Sequence, residues 1–577
     1  MNLMTLLEMA AESMSGRVAL QCGAARFTCA GLFAGAGRAA QRIRAAQVSQ
    51  VALLDVASPA LPLALFGAAW AGVPFTPLNY RLSGAELGAL LERISPALLI
   101  TDSGRAAQLA QRPGLQVLPR DEFIAHASAS GTPDAAEAAG APGDWSMQPE
   151  DPAVLLFTSG TTGAPKAAVL RHRHLVSYIL GTVEFMSAAE EEANLVSVPP
   201  YHVAGVAALL SSLYAGRRIV QLAEFGASAW LDCAESESIS HAFLVPTMLA
   251  RIADELAATG RVVPPTLRAL AYGGGRMPLP VIERAMRLFP PTASFTNAYG
   301  LTETSSTLSV LGPEEHRAAL AGGDAMARQR LASVGRPLPG IEVQVRGPGG
   351  EVLPPGERGE IHVRGEQVSG EYLDGNSRLQ ADGWFPTRDG GYLDSAGYLF
   401  VEGRMDDIIV RGGENLSPGE IEAVLHEHEA VSDCAVVGVP DEEWGEAVAA
   451  VVALETGRSA SARELQTHVR ARLRSSRVPT SVHFVDELPY SETGKLLRRQ
   501  IRDFLAAPPE AQPEPASTAP AAGEAAPTAS APAEAPEAAA ASPPAPGRAA
   551  RRRFRTLLGM ALLAAALLAA WLAFSRF

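Results

Sequence analysis

Short apolar runs alternate with helical periodicity along the first half of the chain, and most of them end in glycine, proline or a polar residue. VALLDVA (51–57), PALLITD (96–102), AVLLF (153–157), NLVSVPP (194–200), HAFLVP (241–246) and LRALAYGG (267–274) read as buried strands, and LPLALFGAAWAG (61–72) as the helix after the first of them. Apolar strands separated by helices predict an α/β body built on largely parallel sheets. From about 334 to 403 the texture changes to short alternating strands and glycine turns, IEVQVRGPGGEVLPPGERGEIHVRG, which predicts a small β-subdomain. After GRMDD (403–407) a compact mixed α+β unit follows. The expected organisation is a large N-terminal domain (1–403) and a small, mobile C-terminal domain (404–505).

A chain of 577 residues is too long for one core. Its net charge of −14, with no long basic run before residue 548, argues against nucleic acid as a partner. Cys22, Cys29, Cys233 and Cys434 make neither a Cys-x-x-Cys pair nor zinc-ligand spacing. They point to a reducing compartment without a structural metal or disulfide framework. No internal repeat is present, and the sequence sets no oligomeric state. The N-terminus, MNLMTLLEMAAESMSGR, lacks a basic leader and carries Glu8 and Glu12, so it reads as a first helix.

The C-terminal end departs from this texture. Residues 506–547 reduce almost wholly to Ala, Pro, Glu, Ser and Thr, which predicts a disordered linker reaching at most roughly 130 Å. A basic flank and transmembrane tail anchor is expected over 548–577. Leu557–Phe574 contains no polar side chain and as a helix would span about 27 Å, close to the hydrocarbon thickness of a bilayer. Arg548, Arg551, Arg552, Arg553 and Arg555 precede it and Arg576 follows, a bias that predicts a cytoplasmic N-terminal body; the expected membrane is a bacterial inner membrane.

Of the 48 basic residues only two are lysines, Lys166 and Lys495. Arginine has supplied the cation everywhere else, so these two positions suit a compact, mobile point charge rather than a planar fork. Lys166 closes FTSGTTGAPK (157–166). There Thr158, Ser159, Thr161 and Thr162 offer hydroxyl donors, and Gly160 and Gly163 let backbone N–H groups approach an anion closely. The spacing is not that of a Walker loop, because Pro165 precedes the lysine and Ala167 follows it.

FTSGTTGAPK resembles the phosphate-loop signature of the adenylate-forming superfamily, which includes acyl-CoA synthetases, adenylation domains of peptide synthetases and luciferases. Further segments are similar to that family's motifs, in its order: PPYHVAG (199–205), AYGGG (271–275), NAYGLTE (297–303), GWFPTRD (383–389), GRMDDIIVRGGENLSPGEIE (403–422) and PYSETGK (489–495). The resemblance covers about residues 1–505 and favours the acyl-CoA synthetase, fatty acid–CoA ligase branch. It implies a two-step reaction. A carboxylate first attacks the α-phosphate of ATP, giving an acyl-adenylate and pyrophosphate, and the thiol of coenzyme A then displaces AMP.

The resemblance also implies roles. Residues 158–166 would hold the β- and γ-phosphates, Thr302 the α-phosphate and Glu303 a Mg²⁺ ion. Gly273, Gly274, Gly275 and Tyr299 would form the adenine site, Asp389 would accept the ribose hydroxyls, and Arg404 would reach ribose or phosphate. Lys495 would bridge the attacking carboxylate and the α-phosphate, and His202 would gate the acyl pocket. The hinge would be Asp406. Arg411, Gly412, Gly413, Glu414 and Trp444 would line the path of CoA. The family's ribose motif is Thr-Gly-Asp, and this chain reads Thr387-Arg388-Asp389. If that glycine serves a positive φ, arginine there strains the loop. Three other outcomes stay open: an acyl- or aryl-AMP ligase loading a carrier protein, an aryl-acid CoA ligase, and a membrane-tethered inactive homologue.

Overall fold

The computed structural model describes residues 1–129, 144–158, 166–321, 325–491 and 495–506. All of them belong to one unit, Met1–Pro515. Most of the expected linker (506–547) and the whole basic flank and tail anchor (548–577) lie outside the described residues. Among the described residues no helix is long and apolar enough to cross a membrane.

Two largely parallel sheets form the body, as the apolar runs predict. In the first, strands Leu115–Pro119, Ala97–Thr101, Val51–Leu54, Phe75–Pro77 and Pro152–Thr158 lie side by side in parallel, and Lys166–Arg171 adds an antiparallel edge. Val51–Leu54 and Ala97–Thr101 are buried at every residue, which accounts for their unbroken apolar sequence. The helix Ala60–Ala71 is likewise buried from Ala60 to Trp70, so it carries no polar face. In the second sheet of nine strands, Ser294–Leu301, Ala269–Gly273, His241–Leu244, Ala193–Val196, Arg218–Gln221 and Val18–Cys22 run parallel between antiparallel edges. The chain begins with the expected helix, Leu3–Ser13, capped by Asn2.

The β-subdomain is a four-stranded antiparallel sheet of Glu342–Arg346, Gly359–Arg364, Phe385–Leu393 and Leu399–Arg404. A 3₁₀ turn, Met405–Asp407, carries the chain out of it. The next strand, Ile409–Arg411, already belongs to a separate five-stranded sheet with Glu414–Leu416, Gly445–Leu454, Val431–Asp441 and Ser481–Val485. That sheet has its own core, including Ile409, Leu416, Ile421, Val436, Val452 and Leu465. A short turn thus joins two sheets with separate cores.

Two histidines seal the N-terminal body. His172 Nδ1 accepts the Leu3 N–H at 3.2 Å and His174 Nδ1 accepts the Arg171 N–H at 3.1 Å. Burial holds their pKa values down to about 4 and about 3, below the ordinary value of 6.5. A depressed imidazole contributes stability that is complete above the unfolded value and is lost as pH falls below it, because the unfolded chain takes up the proton first. Each should cost about 2 kcal/mol by about pH 5. Asp433, pushed up to about 6 by burial, works in the opposite sense and offsets part of this. The expected result is a thermal midpoint that falls steadily from about pH 7 to about pH 5, with a smaller fall in His174→Gln. Equal slopes in scanning calorimetry would exclude His174 as a source.

Candidate active site

Asp389 is the most enclosed carboxylate of the site, at 6% exposure. It lies on Phe385–Leu393, in cross-strand register with Arg404 on Leu399–Arg404. Arg404 Nε stands 3.1 Å from its Oδ1, and the Tyr299 hydroxyl donates to its Oδ2 at 2.5 Å. Arg404 Nη1 also donates to the Thr387 carbonyl at 3.0 Å, while Thr387 Oγ1 accepts the Asp389 N–H. Burial raises the Asp389 pKa, and Arg404, Tyr299 and Lys495 hold it back. Tyr299 comes from the nine-stranded sheet, so Asp389 sits where that sheet meets the β-subdomain.

Glu303 lies in the 3₁₀ turn Thr302–Thr304. Its Oε1 accepts the Tyr372 hydroxyl at 2.7 Å and its carbonyl accepts the Ser369 N–H at 2.8 Å. Ser305 and Ser306, which follow the turn, both have positive φ, 57° and 119°. Strained backbone of this kind persists where surrounding contacts over-determine it. Thr302 is half-buried beside Glu303.

Lys166 opens the strand Lys166–Arg171 and is in register with Thr158, the last residue of Pro152–Thr158. Thr158 Oγ1 donates to the Lys166 carbonyl at 3.3 Å. The segment expected to cradle phosphate therefore joins two antiparallel strands, unlike a Walker loop, which leads into a helix. Ser159, Gly160, Thr161, Thr162 and Gly163 lie outside the described residues. Lys166 Nζ is 5.5 Å from the centroid of the Tyr372 ring, so Tyr372 connects Lys166 to Glu303. Sequence reasoning missed Tyr372, since nothing in EYLDGN marks it out.

Gly273 closes the strand Ala269–Gly273, where an added Cβ would come within 2.1 Å of the Ala298 carbonyl oxygen. Gly274 follows with φ +82° and Gly275 is exposed. Only glycine permits this close passage of backbone past the strand bearing Tyr299. Arg276 then reaches the C-terminal lobe, donating to the Gly419 carbonyl at 2.6 Å and lying 3.6 Å from Glu422.

Lys495 arrives from the C-terminal lobe on a turn closed by Ser491, whose N–H donates to the Lys495 carbonyl at 2.7 Å. Its amine is lowered below the ordinary lysine value by burial and then by Arg404, with Glu303 and Asp389 pulling the other way. The residue is exposed overall, which tempers the first of these causes. His202 is held down to about 4 by burial and by the Lys495 charge. It is therefore neutral at pH 7 and unsuited to act as a base that must cycle near that pH. Its Nδ1 also caps the helix Val203–Ala215 by accepting the Ala204 N–H at 3.2 Å. The fold thus gathers Tyr299, Glu303, Asp389, Arg404, Lys495 and His202 from both lobes.

The residues expected along the CoA path are brought together with one another instead, in the C-terminal lobe. Arg411–Glu414 forms a hairpin turn in which Gly412 and Gly413 both have positive φ, 58° and 82°. The Gly412 N–H donates to the Trp444 carbonyl at 2.8 Å, Arg411 donates to the Ser476 carbonyl and Glu414 pairs with Arg477. These partners all belong to the C-terminal lobe, and Trp444 stands 46% exposed. Asp406 is in the connecting turn, 3.1 Å from Arg388. Arg388 has φ 62°, so the expected left-handed backbone is present, at a cost of about 1–2 kcal/mol for a residue with a Cβ. Its side chain turns to Asp406 and leaves the contacts of Asp389 intact.

Residues 7–373 match the model of the AMP-binding enzyme family and residues 420–495 that of the AMP-binding enzyme C-terminal domain. The chain belongs to this family, and its class is that of the AMP-forming acid–thiol ligases, which use ATP, Mg²⁺ and coenzyme A. It is 34% identical over 493 residues to a feruloyl-CoA synthase of an Amycolatopsis species, covering 84% of this chain and 95% of the relative. It is 32% identical over 449 residues to a fatty acid–[acyl-carrier-protein] ligase of Streptomyces coeruleorubidus, covering 76% and 83%. The structure of o-succinylbenzoate coenzyme A synthetase from Bacillus subtilis, in complex with ATP and magnesium ion, superposes with a TM-score of 0.73 at 30% identity, covering 86% of this chain and 99% of that one.

Proposed function

We propose that this protein activates a carboxylic acid, preferentially a fatty acid, as its acyl-adenylate and transfers the acyl group to coenzyme A at a membrane surface. The cluster of Tyr299, Asp389 and Arg404 carries the reading, with Lys495 of the other lobe near enough for Arg404, Glu303 and Asp389 to act on its charge. In the first step two anions meet. The acid's oxygen bonds to the α-phosphorus of ATP as the bond to pyrophosphate breaks. Lys495 sits between the two and offsets their repulsion, with Thr302 beside the α-phosphate. The Thr158–Lys166 hairpin end holds the leaving phosphates. Asp389 holds the ribose, Tyr299 and Gly273–Gly275 the adenine, and Arg404 orients Asp389.

The donor set fits Mg²⁺. Glu303 is a half-buried carboxylate whose Oε1 is oriented by the Tyr372 hydroxyl. That matches an ion held by one or two carboxylates and the substrate's own phosphates. Bound there, it would neutralise charge on the phosphate oxygens.

In the second step the lobe turns about Asp406. Lys495 withdraws, and the Arg411–Glu414 turn with Trp444 replaces it along the thiol path. The sulfur bonds to the acyl carbon as the bond from that carbon to the AMP phosphate oxygen breaks, AMP leaves, and the thiol proton passes to solvent. The fatty-acid preference rests on the tail anchor proposed for 548–577, which would hold the cytoplasmic body where such acids partition. The relative that loads a carrier protein favours a second reading, transfer to a carrier's thiol. Pyrophosphate release across acids of graded chain length and aromaticity tests the first step, and CoA consumption against carrier loading decides the acceptor. No release with any acid would leave an inactive homologue.

Deleting residues 507–577, beyond the helix Arg498–Ala506, is expected to move the protein from the membrane pellet to the supernatant. Turnover of a water-soluble acid should stay within about twofold. A truncated protein that still sediments with membranes would refute the anchor.

A further inference from the structure

Arg388 keeps its left-handed backbone against two contacts. Its N–H donates to Glu360 Oε1 at 3.0 Å, inside the β-subdomain. Its guanidinium Nη1 donates to Asp406 Oδ2 at 3.1 Å, across to the turn that leads out of it. The residues on either side of Arg388 hold Arg404, through the Thr387 carbonyl and the Asp389 carboxylate. Positions 387–389 therefore grip the crossing segment at its start and again at its middle. The next acid, Asp407, is held from the other lobe, by Arg502 at 2.9 Å and Arg498 at 3.6 Å on Arg498–Ala506. Two adjacent aspartates in one turn are thus pinned to opposite lobes.

We propose that Arg388 is a positioning residue for the lobe arrangement. Its ion pair with Asp406 favours the present arrangement of the lobes, in which Arg276 holds Gly419 and Glu422 and the Lys495 loop faces the Asp389 side, so it biases the enzyme toward adenylate formation over thioester formation. The inference rests on the reading of Asp406 as the pivot. The side chains of Arg388 and Asp406 are 44% and 36% exposed, so the bias is modest and weakens as salt screens it.

Arg388→Asn removes the charge while tolerating the left-handed backbone, and Arg388→Gly removes both charge and strain. In the full chain, ATP–pyrophosphate exchange and thioester formation from supplied acyl-adenylate are measured separately. Both variants are expected to raise the ratio of the second rate to the first by about two- to fivefold. The difference from the unaltered protein should shrink at high salt. Amide hydrogen exchange over residues 405–410 should quicken in both variants. A ratio and an exchange rate that stay unaltered in both, or a difference that salt does not reduce, would overturn the proposal. Failure of the unaltered protein to make pyrophosphate with any acid would instead strike the proposed function. The hydrogen-exchange comparison would still decide whether Arg388 restrains the turn.

Discussion

Lys495→Arg is expected to lower ATP–pyrophosphate exchange by about 10²–10³-fold. Thioester formation from supplied acyl-adenylate should be nearly untouched. Lys495 approaches Glu303 and Asp389 in the company of Arg404 and against His202. A compact ammonium can share that space with one guanidinium, whereas a second planar fork needs more room and different partners. The lysine is exposed as a residue, so its replacement should leave the thermal midpoint in place. The same geometry sets the pH dependence. Because the amine titrates below the ordinary lysine value, adenylation should fall on the alkaline side earlier than a free lysine would dictate. That limb should be missing from the thioester half-reaction. Equal losses in both half-reactions would remove Lys495 from its step-specific role.

Asp389→Ala removes the acceptor for both the Tyr299 hydroxyl and Arg404 Nε. Hydrogen bonds to a charged group contribute roughly 1.5–3 kcal/mol each. The KM for ATP is therefore expected to rise by about 10- to 100-fold, since the ribose acceptor is lost and its two supports are released. The freed Tyr299 phenol should titrate nearer its ordinary value. Burial and then the Asp389 charge, with which it shares a hydrogen bond, now push it well above 10. Ultraviolet pH titration reads that change without any turnover. An unaltered KM for ATP would show that Asp389 serves the fold rather than the nucleotide.

The positions of most strands of the body could be read from the chain, but their order within the sheets could not. Apolar runs such as those around Val51–Leu54 and Ala97–Thr101 report burial on both faces, a property of consecutive residues. Glycines in the 157–166 and 271–275 segments mark close backbone approach in the same local way. Thr387-Arg388-Asp389 signalled its own strain, and the φ of 62° bears that out. The antiparallel pairing across the 159–165 segment was less legible, because the strand that opens at Lys166 is not marked as one until its partner Pro152–Thr158 is known.

What the sequence by itself determined was the set of parts: the α/β body, the β-subdomain, the α+β lobe after residue 404 and the chemical groups that could handle ATP. Tertiary structure decided which of those groups meet. Tyr372 lies 69 residues from the Glu303 it bonds, Tyr299 lies 90 from Asp389, and Arg388 lies 18 from Asp406. No local pattern encodes such pairs. Strand register places Arg404 opposite Asp389, and the packing of one lobe on the other brings Lys495 in and leaves Trp444 in solvent. Propensity and patterning act over a few residues, whereas these contacts arise when separate sheets bury their faces together.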